Sequence, residues 1–383
     1  MKTILKPRTF GILLSLLLLC SCATEDSIHR QLPADVTINK DAGRGNWLTV
    51  MLRLKSGEEV PFVVDTGTAD TFLDKSLEPK LGKRLGTTTF PSWGVKREAG
   101  AYAAPQLYLG NTPLMKTGRF IFTTDRLPKS HSGRPIMGVL GMDCLNHYCI
   151  QLDFEAREMS FLDPNHVNAT ELGKASPLTF RRGRPFIHHP SLLGGTNTNL
   201  LIDSGFDGDG ALESGLFREV REQRLSVAGN GVKALGSEWM FFPEGVWDGV
   251  TYTNLTIGEG GNLIGLRFLA RHLVTLNFPK RTMYLNQTSI GPLVDEDVET
   301  ALKVLRDLKE KGQQPGWLKD DEGQIRSYPE AYPNSVTFRI GKNGDSSIYH
   351  YTVIRTSKDS PWKLQRAWRT DQNDHTLEEY PVP

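Results

Sequence analysis

The sequence predicts a mainly β fold built from two related copies of one unit, followed by a small α+β domain. Short apolar runs rich in Val, Ile, Leu and Phe end at Gly, Asn and Pro turns, which is typical of strands. The same layout of runs occurs twice, in a first copy at residues 47–162 and a second copy at residues 184–285. After Asn286 the pattern changes to one helical stripe and further strand-like runs.

Length and charge limit the classes of protein to consider. The chain has 383 residues, which suggests two or three structural units at roughly 100–200 residues each. Its 45 Lys and Arg against 44 Asp and Glu leave a net charge of +1, without a long block of one sign. A nucleic-acid-binding protein would show a basic stripe, and a disulfide scaffold would need more than four cysteines. Neither class fits this chain.

The first 21 residues are typical of a secretory signal. Three basic residues precede an apolar run over residues 10–19, which is shorter than the ~20 residues of a spanning helix. The run ends in Leu-Cys-Ser-Cys, which resembles a bacterial lipobox and implies acyl chains on Cys22. Ala23 after it favours the outer membrane, facing the periplasm or the exterior, and residues 22–44 are then expected to form a polar tether. An ordinary secretory signal cleaved nearby is the alternative.

Each copy contains an aspartate directly after a strongly apolar strand. The strands are residues 60–64 and 199–202, and a turn glycine, Gly57 or Gly195, lies eight residues before each aspartate. The motifs that follow the strands are Asp65-Thr66-Gly67 and Asp203-Ser204-Gly205. One such motif alone indicates little, because Asp and Gly together also form ordinary turns. Its recurrence at the same place in both copies points to a shared function.

The two copies also end alike. Each has a hydrophobic-hydrophobic-Gly element, and a short helix is expected after it; the elements are Val139-Leu140-Gly141 and Leu263-Ile264-Gly265. From these elements the copies align without a gap, with six identities in 21 positions. The aspartate lies 76 residues before the glycine in the first copy and 62 in the second. The first copy therefore carries extra residues, expected in or near residues 86–105.

The paired motifs resemble those of the aspartic protease superfamily, in its retropepsin-like and pepsin-like forms. The resemblance covers residues 45–286 and implies a bilobal double barrel with lobes at residues 45–165 and 172–288. It implies an aspartic-type endopeptidase, a hydrolase that carries out proteolysis with Asp65 and Asp203 as catalytic residues. The supporting residues that it implies are Thr66 and Ser204, which hydrogen-bond across the lobes, Gly67 and Gly205, which allow a sharp turn, and Thr68, whose hydroxyl donates to Asp65.

Two carboxyl groups that face each other can activate water without a metal or a cofactor. Like charges at ~3 Å cannot both ionise, so the pair shares one proton. The ionised member can deprotonate a water while the protonated member polarises the scissile carbonyl. In the second copy Phe206 stands where Thr68 does in the first, and an apolar neighbour raises a carboxyl pKa. We therefore predict that Asp65 is the more acidic member and that Asp203 holds the proton.

The extra residues of the first copy are expected to form the flap that covers the substrate in pepsin-like enzymes. Trp93, Gly94 and Tyr102 are candidates for an aromatic lid with mobile joints, and an ordinary surface loop is the alternative. The expected partner is an extended peptide or protein substrate held by main-chain hydrogen bonds. One chain supplies both aspartates, so a monomer is expected.

The remaining cysteines and histidines carry no predicted chemistry. Cys144 and Cys149 align with Phe268 and Leu273 of the second copy, which favours buried free thiols over a disulfide. The nine histidines show no metal-binding spacing, so no metal site is predicted.

Residues 295–383 are predicted to form a small α+β accessory domain. The stretch 295–311 has apolar residues at 298, 301, 302, 305 and 308, with Gly312 as a C-cap. Strand-like runs follow at 335–340, 347–355 and 362–368. One helix packed on a three-stranded antiparallel sheet is expected.

Two functions remain open from the sequence. The first is a lipid-anchored aspartic endopeptidase. The alternative is a non-catalytic bilobal envelope lipoprotein that binds peptides, a pseudo-protease, because the second motif continues irregularly as Phe206-Asp207-Gly208-Asp209. A weaker alternative is a structural envelope protein with a vestigial cleft.

Overall fold

The computed structural model of the chain is mainly β, with 49% strand and 13% helix, as predicted. Residues from Pro33 onward form one compact unit. The predicted signal peptide, Cys22 and the lid candidates Trp93 and Gly94 lie outside the described residues. The described residues are 32–92, 95–116, 118–125, 127, 135–228, 239–313, 323–325, 330–332, 334–342, 347–371 and 375–383.

The first half of the fold runs from β1 to β12 and includes a 3₁₀ helix at Lys75–Lys80 and helix α1 at Met142–Leu145. Its strands are β1 (Val36–Thr37), β2 (Thr49–Arg53), β3 (Glu59–Val64), β4 (Phe72–Asp74), β5 (Gly86–Ser92), β6 (Val95–Ala103), β7 (Tyr108–Leu109), β8 (Thr112–Pro113), β9 (Phe120–Thr124), β10 (Gly138–Leu140), β11 (Cys149–Asp153) and β12 (Glu158–Leu162).

The second half runs from β13 to β22 and includes helices α2 (Ser214–Ala228) and α3 (Leu266–Leu269). Its strands are β13 (Lys174–Pro177), β14 (Thr179–Arg181), β15 (Arg184–Ser191), β16 (Gly194–Asp203), β17 (Gly210–Glu213), β18 (Trp239–Trp247), β19 (Val250–Gly260), β20 (Leu263–Gly265), β21 (His272–Asn277) and β22 (Thr282–Gln287). The C-terminal segment comprises helix α4 (Glu296–Glu310) and strands β23 (Gly323–Ile325), β24 (Glu330–Tyr332), β25 (Ser335–Lys342), β26 (Ile348–Ile354), β27 (Lys363–Thr370) and β28 (Thr376–Tyr380).

Within the described residues the strands form four sheets. The first-half sheet has the order β5-β6-β9-β4-β10-β3-β2-β7-β8, and the second-half sheet has the order β14-β15-β16-β20-β17-β19-β18. A shared sheet, β1-β12-β11-β21-β22-β13, contains strands from both halves. The C-terminal sheet is β23-β25-β26-β27-β28, and β24 also pairs with β25.

The two halves repeat one strand arrangement around their aspartate motifs. β10 is parallel to β3 and antiparallel to β4, and β20 is likewise parallel to β16 and antiparallel to β17. The turns before the motif strands repeat as well, because Gly57 and Gly195 both adopt positive φ, at 90° and 94°. The aligned residues Arg157 and Arg281 also share a positive φ, at 62° and 53°. The internal repeat read from the sequence is therefore present in the backbone.

The fold begins before the predicted boundary at residue 45. Val36 pairs with Met159 of β12, and the side chains of Ile38 and Ala42 are buried. Burial of apolar side chains and an added ladder of hydrogen bonds stabilise this stretch on the first half. The predicted tether over residues 22–44 is therefore wrong from residue 33 onward.

The extra residues of the first half form a long hairpin. β5 and β6 pair from Gly86↔Ala101 to Ser92↔Val95, within the interval predicted for the insertion. The hairpin joins the first-half sheet because Tyr102 of β6 pairs with Ile121 of β9.

In the second half helix α2 was not predicted, since its sequence is mostly polar.

The C-terminal segment has its own apolar core. Val298, Ala301 and Leu305 of α4 pack on the C-terminal sheet, and Asp295 caps the helix by accepting a hydrogen bond from the Asp297 N–H. Gly312 follows the helix with a φ of 66°. The predicted helix and three strand-like runs are confirmed. The sheet is larger than predicted, since β23, β24 and β28 extend it.

Candidate active site

The two aspartate motifs meet between the first and second halves. Asp65 follows the end of β3, Asp203 ends β16, and their carboxyl groups hydrogen-bond to each other. Both residues are half-buried, so solvent still reaches the pair. We call these two carboxyl groups the dyad. The structure thus brings together the two residues on which the predicted chemistry depends.

Gly67 and Gly205 are required by the close approach of the two motifs. A Cβ added to Gly67 would collide with the Asp203 carboxyl group, and one added to Gly205 would collide with that of Asp65. Each glycine N–H also donates to the carboxylate of its own motif, at 2.8 Å to Asp65 and 2.9 Å to Asp203. Any larger residue at these positions would force the dyad apart.

Thr66 and Ser204 join the motifs by a reciprocal set of four hydrogen bonds. The Thr66 N–H donates to Ser204 Oγ, and the Ser204 N–H donates to Thr66 Oγ1, both at 3.0 Å. The Thr66 hydroxyl donates to the Ile202 carbonyl at 2.7 Å, and the Ser204 hydroxyl donates to the Val64 carbonyl at 2.8 Å. All of these atoms are buried, which fixes the separation of the two aspartates.

The hydrophobic-hydrophobic-Gly elements support the motifs from the side. Val139 pairs with Val63 and Ile264 pairs with Ile202, so β10 and β20 lie against the strands that carry the aspartates. The Leu140 carbonyl accepts a hydrogen bond from the Asp65 N–H at 3.0 Å. Every residue of both elements is buried: Val139, Leu140, Gly141, Leu263, Ile264 and Gly265.

The short helices after these elements are bound to the motif loops in the same way in both halves. The Met142 N–H at the start of α1 donates to the Thr68 carbonyl at 3.0 Å. The Leu266 N–H at the start of α3 donates to the Phe206 carbonyl at 2.7 Å. Gly141 and Gly265 leave no room for a Cβ beside these loops, because one there would meet the backbone of Asp70 or Gly208.

Burial and charge make the members of the dyad unequal. Desolvation raises the pKa of both carboxyls above the ordinary 3.8, and the negative charge of Asp65 raises the pKa of Asp203 further, to well above that value. For Asp65, backbone hydrogen bonds from Gly67 and Thr68 and the bond from Asp203 oppose the rise in pKa. The pKa of Asp203 is therefore raised more strongly than that of Asp65. This order of the two pKa values is in the direction predicted from the sequence.

The hydrogen bond that was expected to set the order of the two aspartate pKa values differs in the structure. The Thr68 hydroxyl does not donate to Asp65; it lies 3.5 Å from the Asp70 carbonyl, and the backbone N–H of Thr68 is the donor to Asp65. Any residue except proline could supply that N–H. In the second half Phe206 is buried, with Leu201, Ala211 and Leu263 around it. The expectation about the Thr68 hydroxyl is wrong, whereas the apolar surroundings of Asp203 are present.

The irregular continuation of the second motif has a structural role at Asp209. This residue is fully buried and accepts hydrogen bonds from Arg271 Nη2 at 2.6 Å and from the Thr256 N–H at 2.8 Å. Arg271 is also fully buried, and it donates to the carbonyl oxygens of Thr253 and Ile290. Asp209 therefore binds β19 and the segment that follows α3 to the motif loop.

The first half attaches its short helix to the motif loop through different polar residues. Thr71 stands at the position of Asp209, and its hydroxyl donates to Asp143 of α1. Asp143 aligns with Arg267, and it forms an ion pair with Lys116 at 2.6 Å. The two halves thus use unrelated polar residues to attach the short helix to the motif loop.

Tyr102 does not lie where an aromatic lid would need it. Its side chain is buried at the base of the β5–β6 hairpin, where burial and the neighbouring Glu78 carboxylate raise the pKa of the phenol. Glu78 also accepts a hydrogen bond from the Thr123 hydroxyl at 2.7 Å. Tyr102 therefore attaches the hairpin to the rest of the first half. The other two lid candidates, at positions 93 and 94, are outside the described part of the chain.

A residue that the sequence did not single out, Arg184, acts electrostatically on the dyad. The positive charge of Arg184, the first residue of β15, lowers the pKa of both Asp65 and Asp203. The sequence signal was present as Arg-Arg-Gly-Arg at positions 181–184, a basic turn directly before the first strand of the second copy. The link between this basic turn and the dyad depends on how the two halves pack together, and the spacing of residues along the chain does not predict that packing.

Cys144 and Cys149 are buried free thiols, as predicted. Desolvation raises the pKa of each thiol to about 12, so neither is a nucleophile at neutral pH. In the described part of the chain no group of His, Cys, Asp and Glu is arranged to hold a metal ion. No helix there is long and apolar enough to cross a membrane.

Comparison with known proteins adds no assignment to this geometry. No protein-family model matches the chain, and the curated proteins contain no significant match to it.

Proposed function

We propose that the protein is an aspartic endopeptidase whose two halves form a bilobal retropepsin-like or pepsin-like fold. The observation that carries the proposal is the symmetric dyad, in which Asp65 and Asp203 come from equivalent strands and hydrogen-bond to each other. The four hydrogen bonds between Thr66 and Ser204 and their partners hold the carboxyl groups in place before a substrate binds. Such preorganisation is what an active site requires.

The dyad can hydrolyse a peptide bond through general acid–base catalysis. The Asp65 carboxylate removes a proton from a bound water, whose oxygen attacks the scissile carbonyl carbon. The proton on Asp203 passes to the carbonyl oxygen, which gives a neutral tetrahedral intermediate. The C–N bond then breaks as the amine takes the proton held by Asp65, and a hydroxyl of the intermediate returns its proton to Asp203. Both carboxyls regain their starting states, with water as the only co-reactant.

The setting of this activity follows from the N-terminal pattern. We propose a cell-envelope lipoprotein attached to the membrane through acyl chains on Cys22, with peptides or proteins of the envelope as substrates. A single chain supplies both aspartates, so activity is expected from the monomer. The C-terminal segment supplies no residue to the dyad and is proposed to be an accessory domain.

The test is cleavage of a diverse peptide library between pH 3 and 8. The wild-type protein is compared with Asp65→Asn and Asp203→Asn, and thermal unfolding checks that each variant is folded. We expect cleavage by the wild type alone. Cleavage that survives either substitution would contradict the mechanism. Binding of peptides without cleavage would favour the alternative of a peptide-binding pseudo-protease.

A further inference from the structure

The hairpin between β14 and β15 displays three arginines on a short turn. Arg181 pairs with Arg184 across it, and the two residues at the tip have positive φ, 50° at Arg182 and 80° at Gly183. Two such residues in sequence form the compact type I′ turn that suits the twist of a hairpin. The arginines are therefore presented from a defined backbone. None of them takes part in the proton transfers of the dyad.

The tip of this hairpin reaches the loop of the first motif. A Cβ built on Gly183 would lie 3.5 Å from the Cβ of Ala69, four residues after Asp65. The charge of Arg184 acts on both carboxyls of the dyad. Since the hairpin belongs to the second half and Ala69 to the first, the basic turn lies at the junction of the two halves, next to the loop of the first motif.

An aromatic ring lies beneath the arginines. Phe186 is two residues after Arg184 on the same face of β15, and its ring centroid is 5.7 Å from the guanidinium carbon of Arg181 and 5.9 Å from that of Arg184. Phe186 packs in turn against Leu201, Phe206 and Leu263 beside Asp203. A cation on an apolar, half-buried surface binds an anion more strongly than one in open water.

These guanidinium groups have no acidic partner in the described part of the chain. Among the described residues no carboxylate lies within 4.0 Å of Arg181, Arg182 or Arg184. Each guanidinium carries five N–H donors in a planar fork, which suits a carboxylate in a bidentate pair. The dyad with one proton also carries a negative charge, so an anionic substrate would be repelled unless a cation compensated for it.

We propose that Arg184, with Arg181 beside it, binds a carboxylate of the substrate next to the scissile bond. This inference rests on the proposed peptidase function and adds a substrate class to it, namely peptides with an acidic group close to the point of cleavage. An acidic side chain and the C-terminal carboxylate of a peptide offer the same chemistry. The experiment below separates these two sources.

The test uses matched peptides in which Glu, Gln or Lys is placed at each position around a cleavage site. Each peptide is made with a free and with an amidated C-terminus. The wild type should cleave the preferred Glu peptide about 10-fold better, in kcat/KM, than its Gln counterpart, as expected for one charge-assisted hydrogen bond. A preference that depends on the free C-terminus would identify the terminal carboxylate as the group bound.

The variants assign the preference to the arginine. Arg184→Gln should abolish the preference for the Glu peptide, and Arg184→Glu should replace it with a preference for the Lys peptide. Arg306→Gln is the matched control, because it removes an arginine from the exposed face of α4 and should leave the preference unchanged. Equal cleavage of the Glu and Gln peptides at every position, or a preference that persists in Arg184→Gln, would overturn the proposal.

A binding measurement separates this inference from the peptidase function. Asp203→Asn, alone and with Arg184→Gln, is titrated with the same fluorescent peptides and followed by anisotropy. Tighter binding of the Glu peptide that is lost with Arg184→Gln supports the carboxylate site, even if the wild type cleaves nothing and the proposed hydrolysis fails. Cleavage that does not depend on the acidic group would refute the carboxylate site but not the peptidase function. Neither binding nor cleavage of any peptide would refute both.

Discussion

Gln151 and Thr275, which occupy equivalent positions in the two sequence repeats, face each other across the shared sheet. They form a pair between β11 and β21, and the Gln151 side-chain amide donates to the Thr275 hydroxyl at 2.9 Å. A pair of equivalent residues on adjacent antiparallel strands marks a local twofold axis. Thr66 and Ser204 are related in the same way, as are Asp65 and Asp203. The shared sheet and the dyad therefore follow one symmetry, which explains how two copies of one unit place two carboxyls face to face.

Replacing either aspartate of the dyad with asparagine should abolish cleavage without unfolding the protein. Loss of a general acid or base reduces the rate by about 10²–10⁴-fold, and asparagine keeps the size of the side chain. Desolvation raises the pKa of both carboxyls above 3.8 in the folded state, so the stability of the fold declines as the pH rises above that value. Asp203→Asn should therefore raise Tm at pH 7. This increase in Tm should vanish below pH 3.8, where the aspartate is protonated in both the folded and the unfolded states.

The reciprocal hydrogen bonds of Thr66 and Ser204 should contribute measurably to the free energy of unfolding. Ser204→Ala leaves the Thr66 N–H buried without its acceptor, which costs about 1–3 kcal/mol in the free energy of unfolding. Thr66→Ser keeps the hydroxyl and serves as the control, with a much smaller effect. In urea unfolding, Thr66→Ala with Ser204→Ala should cost less than the sum of the two single changes, because they share partners. Additive effects would show that the two residues act independently.

The parts of the fold that could be predicted from the sequence are those in which a pattern recurs along the chain. The strand before each aspartate, the turn glycines and the short helices could be predicted because apolar runs and glycine positions repeat in both copies. Helix α2 could not, since most of the residues in its sequence are polar. The buried pair of Asp209 and Arg271 joins residues 62 positions apart, and Thr71 stands at the position of Asp209 in the first half, so the repeat could not predict this pair. Arg184 could be linked to the dyad only through the packing of one half on the other.

Phe206→Thr should move the pH profile of cleavage towards acid. Desolvation is the largest cause of the raised pKa of Asp203, and a small polar residue at position 206 admits water beside that carboxyl. The pKa of Asp203 then falls, so the alkaline limit of the range in which the dyad holds one proton moves to lower pH. The change should also cost roughly 3–5 kcal/mol of stability, because it opens a cavity among Leu201 and Leu263. Phe206→Leu is the control, and an identical profile for the wild type and Phe206→Thr would count against this account.

Arg184→Gln should move the same profile in the opposite direction. The positive charge at position 184 lowers the pKa of both Asp65 and Asp203, so its removal raises both. The range in which the dyad carries a single proton then shifts to higher pH on its acid and alkaline sides. A neutral Gln-containing peptide is the substrate for this measurement, so that loss of the proposed carboxylate contact does not contribute. A profile that is unchanged, while Arg306→Gln also matches the wild type, would mean that Arg184 is too well solvated to influence the dyad.

Breaking the buried pair of Asp209 and Arg271 should destabilise the second half far more than breaking a surface pair. Asp209→Ala leaves the guanidinium of Arg271 buried without its carboxylate, a loss that costs about 3–5 kcal/mol. The exposed pair of Arg366 and Glu379 provides the comparison, and Glu379→Ala should cost at most ~1 kcal/mol. Asp209→Leu combined with Arg271→Met removes both charges and should be more stable than Asp209→Ala alone, since no unpaired charge remains. If the double variant is the less stable of the two in denaturant unfolding, the bonds from Arg271 to the Thr253 and Ile290 carbonyls outweigh the ion pair in holding α3 against β19.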